Sequence, residues 1–138
     1  MSETLVFEKN SMEELDEYGS TDFVSTEFDC NCSIPNCKKT HVNIELIKLL
    51  QRIRDHFGKP VKINSAFRCV AHNHAVGGEQ NSQHLKGNAA DIVINGIKPI
   101  IIYQWLNGIH DGGLGLYDTF VHVDVRDGRA RWDKRKKK

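Results

Sequence analysis

The chain has 138 residues, enough for one compact domain, with 39% hydrophobic and 27% charged residues. Its net charge of +1 conceals two opposite ends: Glu3, Glu8, Glu13, Glu14, Asp16, Glu17, Asp22, Glu27 and Asp29 stand against a single base, Lys9, while Arg126, Arg129, Arg131, Lys134, Arg135, Lys136, Lys137 and Lys138 crowd the other end. No run approaches the roughly 18 apolar residues of a membrane span, and the first residues lack the basic start and apolar stretch of a secretory signal. The expectation is a monomer made in a cytoplasm, with no membrane span and no specific nucleic-acid site.

In chain order, residues 1–27 read as an acidic, partly ordered segment in which Ser11 and Glu14 have the spacing to open one short helix. Cys30, Cys32 and Cys37 follow within eight residues, then His41, with Cys69 farther on. Three readings stay open: a structural zinc on Cys30, Cys32, Cys37 and either Cys69 or His41, disulfides from the first pair to Cys37 and Cys69, or free thiols. In each, the cluster ties the N-terminal loop to the loop carrying Arg68. Ile44, Ile47, Leu50, Ile53 and Phe57 recur at helical steps and predict a helix over 43–57, capped by Asn43 and ended by Gly58 and Pro60. Residues 61–65 alternate as a strand, and residues 89–94 form another before the turn Asn95-Gly96. Pro99 starts a second helix that runs to Asn107. Residues 114–117 and 120–125 read as an antiparallel pair turning at Asp118-Thr119. The order gives an α+β domain over 28–132, a small antiparallel sheet with helices on one face, and a basic tail at 133–138.

The chemistry concentrates in two segments. Along 120–125, Val121, Val123 and Val125 share one face of the strand, and His122 and Asp124 share the other. In Ser82-Gln-His84-Leu-Lys-Gly87-Asn-Ala-Ala-Asp91, the small residues allow a tight loop that swings His84 back toward Asp91. Two imidazoles and a carboxylate are the donor types zinc prefers, and a catalytic site has three protein ligands with one open position.

These segments resemble the Ser-x-His-x-x-Gly-x-x-x-Asp signature of the zinc D-alanyl-D-alanine carboxypeptidase family, which also contains D-Ala-D-Ala dipeptidases and phage L-alanyl-D-glutamate endolysins. The matching residues are Ser82, His84, Gly87, Ala89 and Asp91. His122-x-Asp124 looks like the family's third-ligand strand. Ile63-Asn-Ser-Ala-Phe-Arg68-Cys69, His72-Asn73 and Val76-Gly77-Gly78 look like its lead-in. The resemblance implies a hedgehog-like fold, catalytic zinc on His84, Asp91 and His122, and a peptidoglycan stem peptide as substrate. It implies that Arg68 binds the substrate carboxylate or the developing oxyanion. Ser82 either bonds the substrate or caps its loop. Where many relatives carry an acid three residues before the last histidine, this chain has Thr119, leaving Asp124 or Asp118 to take the proton or to orient a ligand histidine. The activity implied is hydrolysis of a D-Ala-D-Ala or L-Ala-D-Glu bond, in a phage lysis enzyme that reaches the wall after release. The alternatives are a non-catalytic zinc module that binds a partner, as hedgehog domains are implied to do, and a nucleic-acid protein using the cysteine cluster and the basic end from Arg126 to Lys138, whose DNA binding salt would weaken.

Overall fold

The structure, a computed structural model, describes residues 3–136; Met1, Ser2, Lys137 and Lys138 lie outside the described residues, so the expected acidic segment and basic tail are each covered in part. The elements are β1 (Thr4–Glu8), β2 (Lys39–Asn43), α1 (Ile44–Phe57), β3 (Val61–Ser65), α2 (Val70–Ala75), β4 (Ala89–Ile94), α3 (Pro99–Asn107), β5 (Gly113–Leu116), β6 (Val121–Asp124) and β7 (Ala130–Asp133). Single 3-10 turns lie at Asp16–Tyr18 and Ser25–Phe28. The class is α+β, as expected. Among the described residues no helix is long and apolar enough to cross a membrane.

Helix α1 forms for the reasons its sequence states. The Asn43 side chain accepts the Glu45 amide at 2.9 Å, and Gly58 closes the far end on the Arg54 carbonyl. Its apolar stripe buries Leu46, Ile47, Leu50 and Ile53. Gln51 is buried too, because it is a polar anchor: its amide oxygen accepts from Ser20 Oγ at 2.8 Å and its amide nitrogen donates to Asp22 and Asp55.

The acidic segment is threaded into the same core. Strand β1 pairs antiparallel with β2, with Thr4, Val6 and Glu8 outward and Leu5 and Phe7 inward. Leu15, Phe23 and Phe28 are also buried. The short helix expected at Ser11 does not form. Instead Glu14 bridges to Val24, and the Ser25 hydroxyl joins the Ser11 carbonyl and Glu13 amide. Burying Leu15 and Phe23 together requires two extended passes, which outweighs a local capping box.

A five-stranded sheet, ordered β3-β4-β6-β5-β7, carries the rest. The expected antiparallel pairing of the last two predicted strands holds as β5–β6. The sheet is not purely antiparallel, since β7 pairs parallel to β5. The chain reverses after β5 and again after β6, so a strand added beside β5 must run with it. Ala90, Ile92 and Ile94 of β4, Val121 and Val123 of β6, and Leu114 and Leu116 of β5 face α1 and the buried Ile102 and Leu106 of α3 in one core. Strands β4 and β6, each paired on both edges, leave Asp91, His122 and Asp124 buried on the opposite face.

Candidate active site

Strand register builds the site. Asp91 of β4 lies directly across from His122 of β6, which lies across from Gly115 of β5, which pairs with Trp132 of β7. One row therefore runs Asp91, His122, Gly115, Trp132. In the adjacent row Asp124 faces Gly113. Both glycines are required by close approach: a Cβ at Gly115 would strike the Trp132 indole, and one at Gly113 would strike the Asp124 carboxylate. The indole consequently lies beside His122, with ring centroids 5.0 Å apart.

His84 reaches the same place from the 76–88 loop. Its amide donates to Ser82 Oγ at 3.1 Å. Gly87 ends the turn at φ +74°, where its amide bonds the His84 carbonyl and its own carbonyl accepts the Asn43 amide; a Cβ there would meet the His41 backbone.

The three expected ligands converge. One donor atom from each of His84, Asp91 and His122 lies within 4.8 Å of the others. Asp91 Oδ1 is 3.3 Å from His84 Nε2 and 3.1 Å from His122 Nδ1. Metal–donor bonds of about 2.0–2.1 Å place tetrahedral neighbours about 3.3 Å apart, so both separations from Asp91 match edges of a zinc tetrahedron. The outer nitrogens are already engaged. His84 Nδ1 lies 2.6 Å from the Ala66 carbonyl oxygen, and His122 Nε2 lies 2.7 Å from Asp124 Oδ2. Each ring thus donates away from the site and leaves its other nitrogen for the centre, as metal-ligating histidines do.

The charges agree. Burial opposes ionisation of Asp91, but hydrogen bonds and positive charge from His122 and His84 outweigh it and hold its carboxyl well below the usual carboxylate range. Burial likewise opposes charge on His122, yet Asp124 and Asp91 on either side raise its pKa. Asp124 is also burdened by burial and still held low, by His122 and Arg126.

The other expected residues divide. Arg68 lines the cavity above the ligands, its Nη2 3.5 Å from Asp91 Oδ2, with Nε donating to Ser65 Oγ and Nη1 to Asn73 Oδ1, both at 3.2 Å. Ser82 lines the cavity and caps its loop. Neither acid expected to take a proton is on the cavity wall. Asp124 is wholly buried behind His122, accepting from the Gly113 amide, the Arg126 amide and the Arg126 guanidinium. Asp118 turns away to accept the Lys136 amide. The cavity, of about 650 Å³, includes one exposed acid, Glu79, and an aromatic side made of Trp132, Tyr117 and Phe120. Tyr117 and Phe120 stack at 4.3 Å, and Trp132 Nε1 donates to the Tyr117 hydroxyl at 3.0 Å. Sequence reasoning missed this side and Glu79. The alternate glycines Gly113 and Gly115 were the available signal that something large crosses β5.

Much of the basic end is engaged rather than presented as a stripe. Arg126 and Arg135 pair with Asp124 and Asp133, and Arg129 and Arg131 bond the Asn107 side chain and the His110 carbonyl. The four cysteines gather into a second cluster, Cys30, Cys32, Cys37 and Cys69, all free. His41 packs against the Phe67 ring instead.

A stretch of 44 residues is 48% identical to the zinc D-Ala-D-Ala carboxypeptidase of Streptomyces albus G. That stretch is 31% of this chain and 17% of the relative, so the similarity spans under a fifth of that protein's length. The family model for Peptidase M15 matches residues 21–124, a span that takes in Arg68, His84, Asp91 and His122 and most of the chain, which therefore belongs to the Peptidase M15 family.

Proposed function

We propose that this protein is a zinc peptidase that hydrolyses a stem-peptide bond of peptidoglycan, D-Ala-D-Ala or L-Ala-D-Glu. The observation that carries the reading is the convergence of His84, Asp91 and His122, with outer nitrogens committed, on the wall of a cavity that also holds Arg68. One ion at this site is held by those three side chains. Zinc supplies a Lewis acid and lowers the pKa of its water from about 15.7 to about 7.

The chain's own residues do the rest. Either bond leaves a free carboxylate on the departing residue, and the Arg68 fork suits a carboxylate. The aromatic side formed by Trp132, Tyr117 and Phe120 packs the apolar part of the peptide. Asp124, wholly buried, off the cavity wall and tied to Arg126, orients His122 rather than exchanging protons with the cavity. Glu79, the exposed acid on the cavity wall, is then the group placed to take and return the proton. These assignments separate in two variants. Asp124→Asn should weaken zinc binding roughly 10- to 100-fold, with turnover returning at saturating zinc. Glu79→Gln should keep zinc affinity and lower kcat roughly 100-fold or more. Failure of zinc-saturated Asp124→Asn to turn over would return the base role to Asp124.

Purified peptidoglycan incubated with the zinc-loaded protein, with a chelated sample alongside, tests the function. Zinc-dependent release of D-Ala identifies a carboxypeptidase. New L-Ala carboxyl and D-Glu amino termini identify an endopeptidase. Only the second detaches stems from glycan, so clearing of a wall suspension is the readout for the lysis role. No release despite bound zinc would assign the partner-binding alternative.

A further inference from the structure

A second cluster of metal-ligating side chains lies outside the active site, and we propose that it holds a structural zinc ion on Cys30, Cys32, Cys37 and Cys69. All four Sγ atoms lie within 4.8 Å of one another. Cys69 Sγ is 3.8 Å from Cys30 Sγ and 3.8 Å from Cys32 Sγ. Zinc–thiolate bonds of about 2.3 Å set tetrahedral sulfurs about 3.8 Å apart, so these separations are edges of a Zn–S4 tetrahedron. Disulfides fit the same positions poorly. Cys69 is equidistant from two partners and can bond only one, and each approach would have to close to about 2.05 Å.

The surroundings suit a thiolate centre. The Cys69 amide donates to Cys30 Sγ at 3.4 Å, and the Lys9 ammonium lies 3.4 Å from Cys32 Sγ and 3.1 Å from the Cys32 carbonyl oxygen. Four thiolates around one dication carry a net charge of −2, which an ammonium and amide donors offset. The sequence supplies the ligands from two distant places, three from the loop at 30–37 and the fourth directly after Arg68.

That connectivity gives the ion a purpose. Apart from the sulfur cluster, the hydrogen bonds that tie residues 28–37 to the Arg68 segment run from the Phe67 amide to the Phe28 carbonyl at 3.1 Å and from Asn31 Nδ2 to the Asn64 carbonyl at 2.9 Å. Cys69 is also the residue from which α2 starts, and Asn73 of α2 holds Arg68. Fixing Cys69 therefore fixes both ends of the support of the arginine. The site stands on the cysteine geometry alone and does not depend on the reaction proposed above.

Cobalt(II) and zinc are the probes, with the full chain purified under reducing conditions. Wild type should bind about two zinc equivalents and His84→Ala about one. Cobalt-loaded wild type and His84→Ala should both show the intense sulfur-to-cobalt charge-transfer bands of a tetrahedral tetrathiolate, and Cys32→Ser with Cys37→Ser should lose them. The native cysteines should resist iodoacetamide until a chelator is added. If the serine variant fails to fold, the wild-type spectrum and the His84→Ala stoichiometry decide alone. Absence of thiolate bands in wild type, rapid alkylation of native cysteines, or a mass deficit of two hydrogens per bond from disulfides would each overturn the site. Should His84→Ala match wild type with one thiolate-bound ion, the cysteine site stands and the catalytic zinc reading fails.

Discussion

Replacing His84 with Ala should lower stem-peptide hydrolysis on the order of a thousandfold or more while leaving the fold in place. The magnitude follows from the chemistry lost: a Lewis acid and its activated water account for several kcal/mol of transition-state stabilisation, and each 1.36 kcal/mol is about tenfold in rate. The fold should survive because His84 belongs to a loop, not to the apolar core. Its removal takes the partner from the Ala66 carbonyl and one of three from Asp91, which keeps His122 and Arg68. His122→Ala is a harsher test of the same idea. His122 sits between Asp91 and Asp124 at 3.1 Å and 2.7 Å, so its loss leaves two buried carboxylates facing each other. That variant should lose stability as well as zinc, whereas His84→Ala should lose mainly zinc. Thermal unfolding and metal analysis of both variants, beside the rate measurement, check the difference. A His84→Ala protein that retains its full rate would remove zinc from the reaction.

The candidate ligands were legible in the sequence because they sit in short motifs whose geometry is local. The period-two alternation of Val121, His122, Val123 and Asp124 survives folding unchanged, and the core face and site face come out as the pattern predicts. Helix α1 was legible for the same reason, with its cap, stripe and stop within sixteen residues. What was not legible depends on partners far away in the chain. Strand β7 lies among basic residues that gave no strand pattern, and only its register beside Gly115 makes Trp132 part of the site. The burial of Asp124 was not legible either. The sequence placed it on the His122 face, which suits both a base and an orienting group, and the pairing that sets Gly113 against it depends on β5. The acidic segment misled because net charge is a surface property, while Leu5, Phe7, Leu15 and Phe23 decide what it packs against.

Arg68→Ala should lower kcat/KM by roughly 100- to 1,000-fold, the range for removing a fixed donor from developing negative charge. Zinc content should stay intact, because Arg68 touches the centre only through the 3.5 Å pair with Asp91 Oδ2, on the oxygen opposite the one shared by the histidines. Arg68→Lys should recover only part of the rate. A single ammonium replaces a planar fork that Ser65 and Asn73 hold in place, so the second hydrogen bond to a carboxylate is lost with the geometry. The target of the arginine can be read from a double cycle with the substrate. If Arg68 binds the carboxylate of the leaving residue, amidating that carboxylate should cost wild type heavily and Arg68→Ala little, leaving a large interaction energy. If it stabilises the oxyanion, amidation should cost both proteins alike, and the loss in Arg68→Ala should fall on kcat rather than KM. Loss of zinc from Arg68→Ala would show a third role, as the charge that holds Asp91 in position. The rate deficit would then follow metal occupancy and disappear when zinc is supplied in excess.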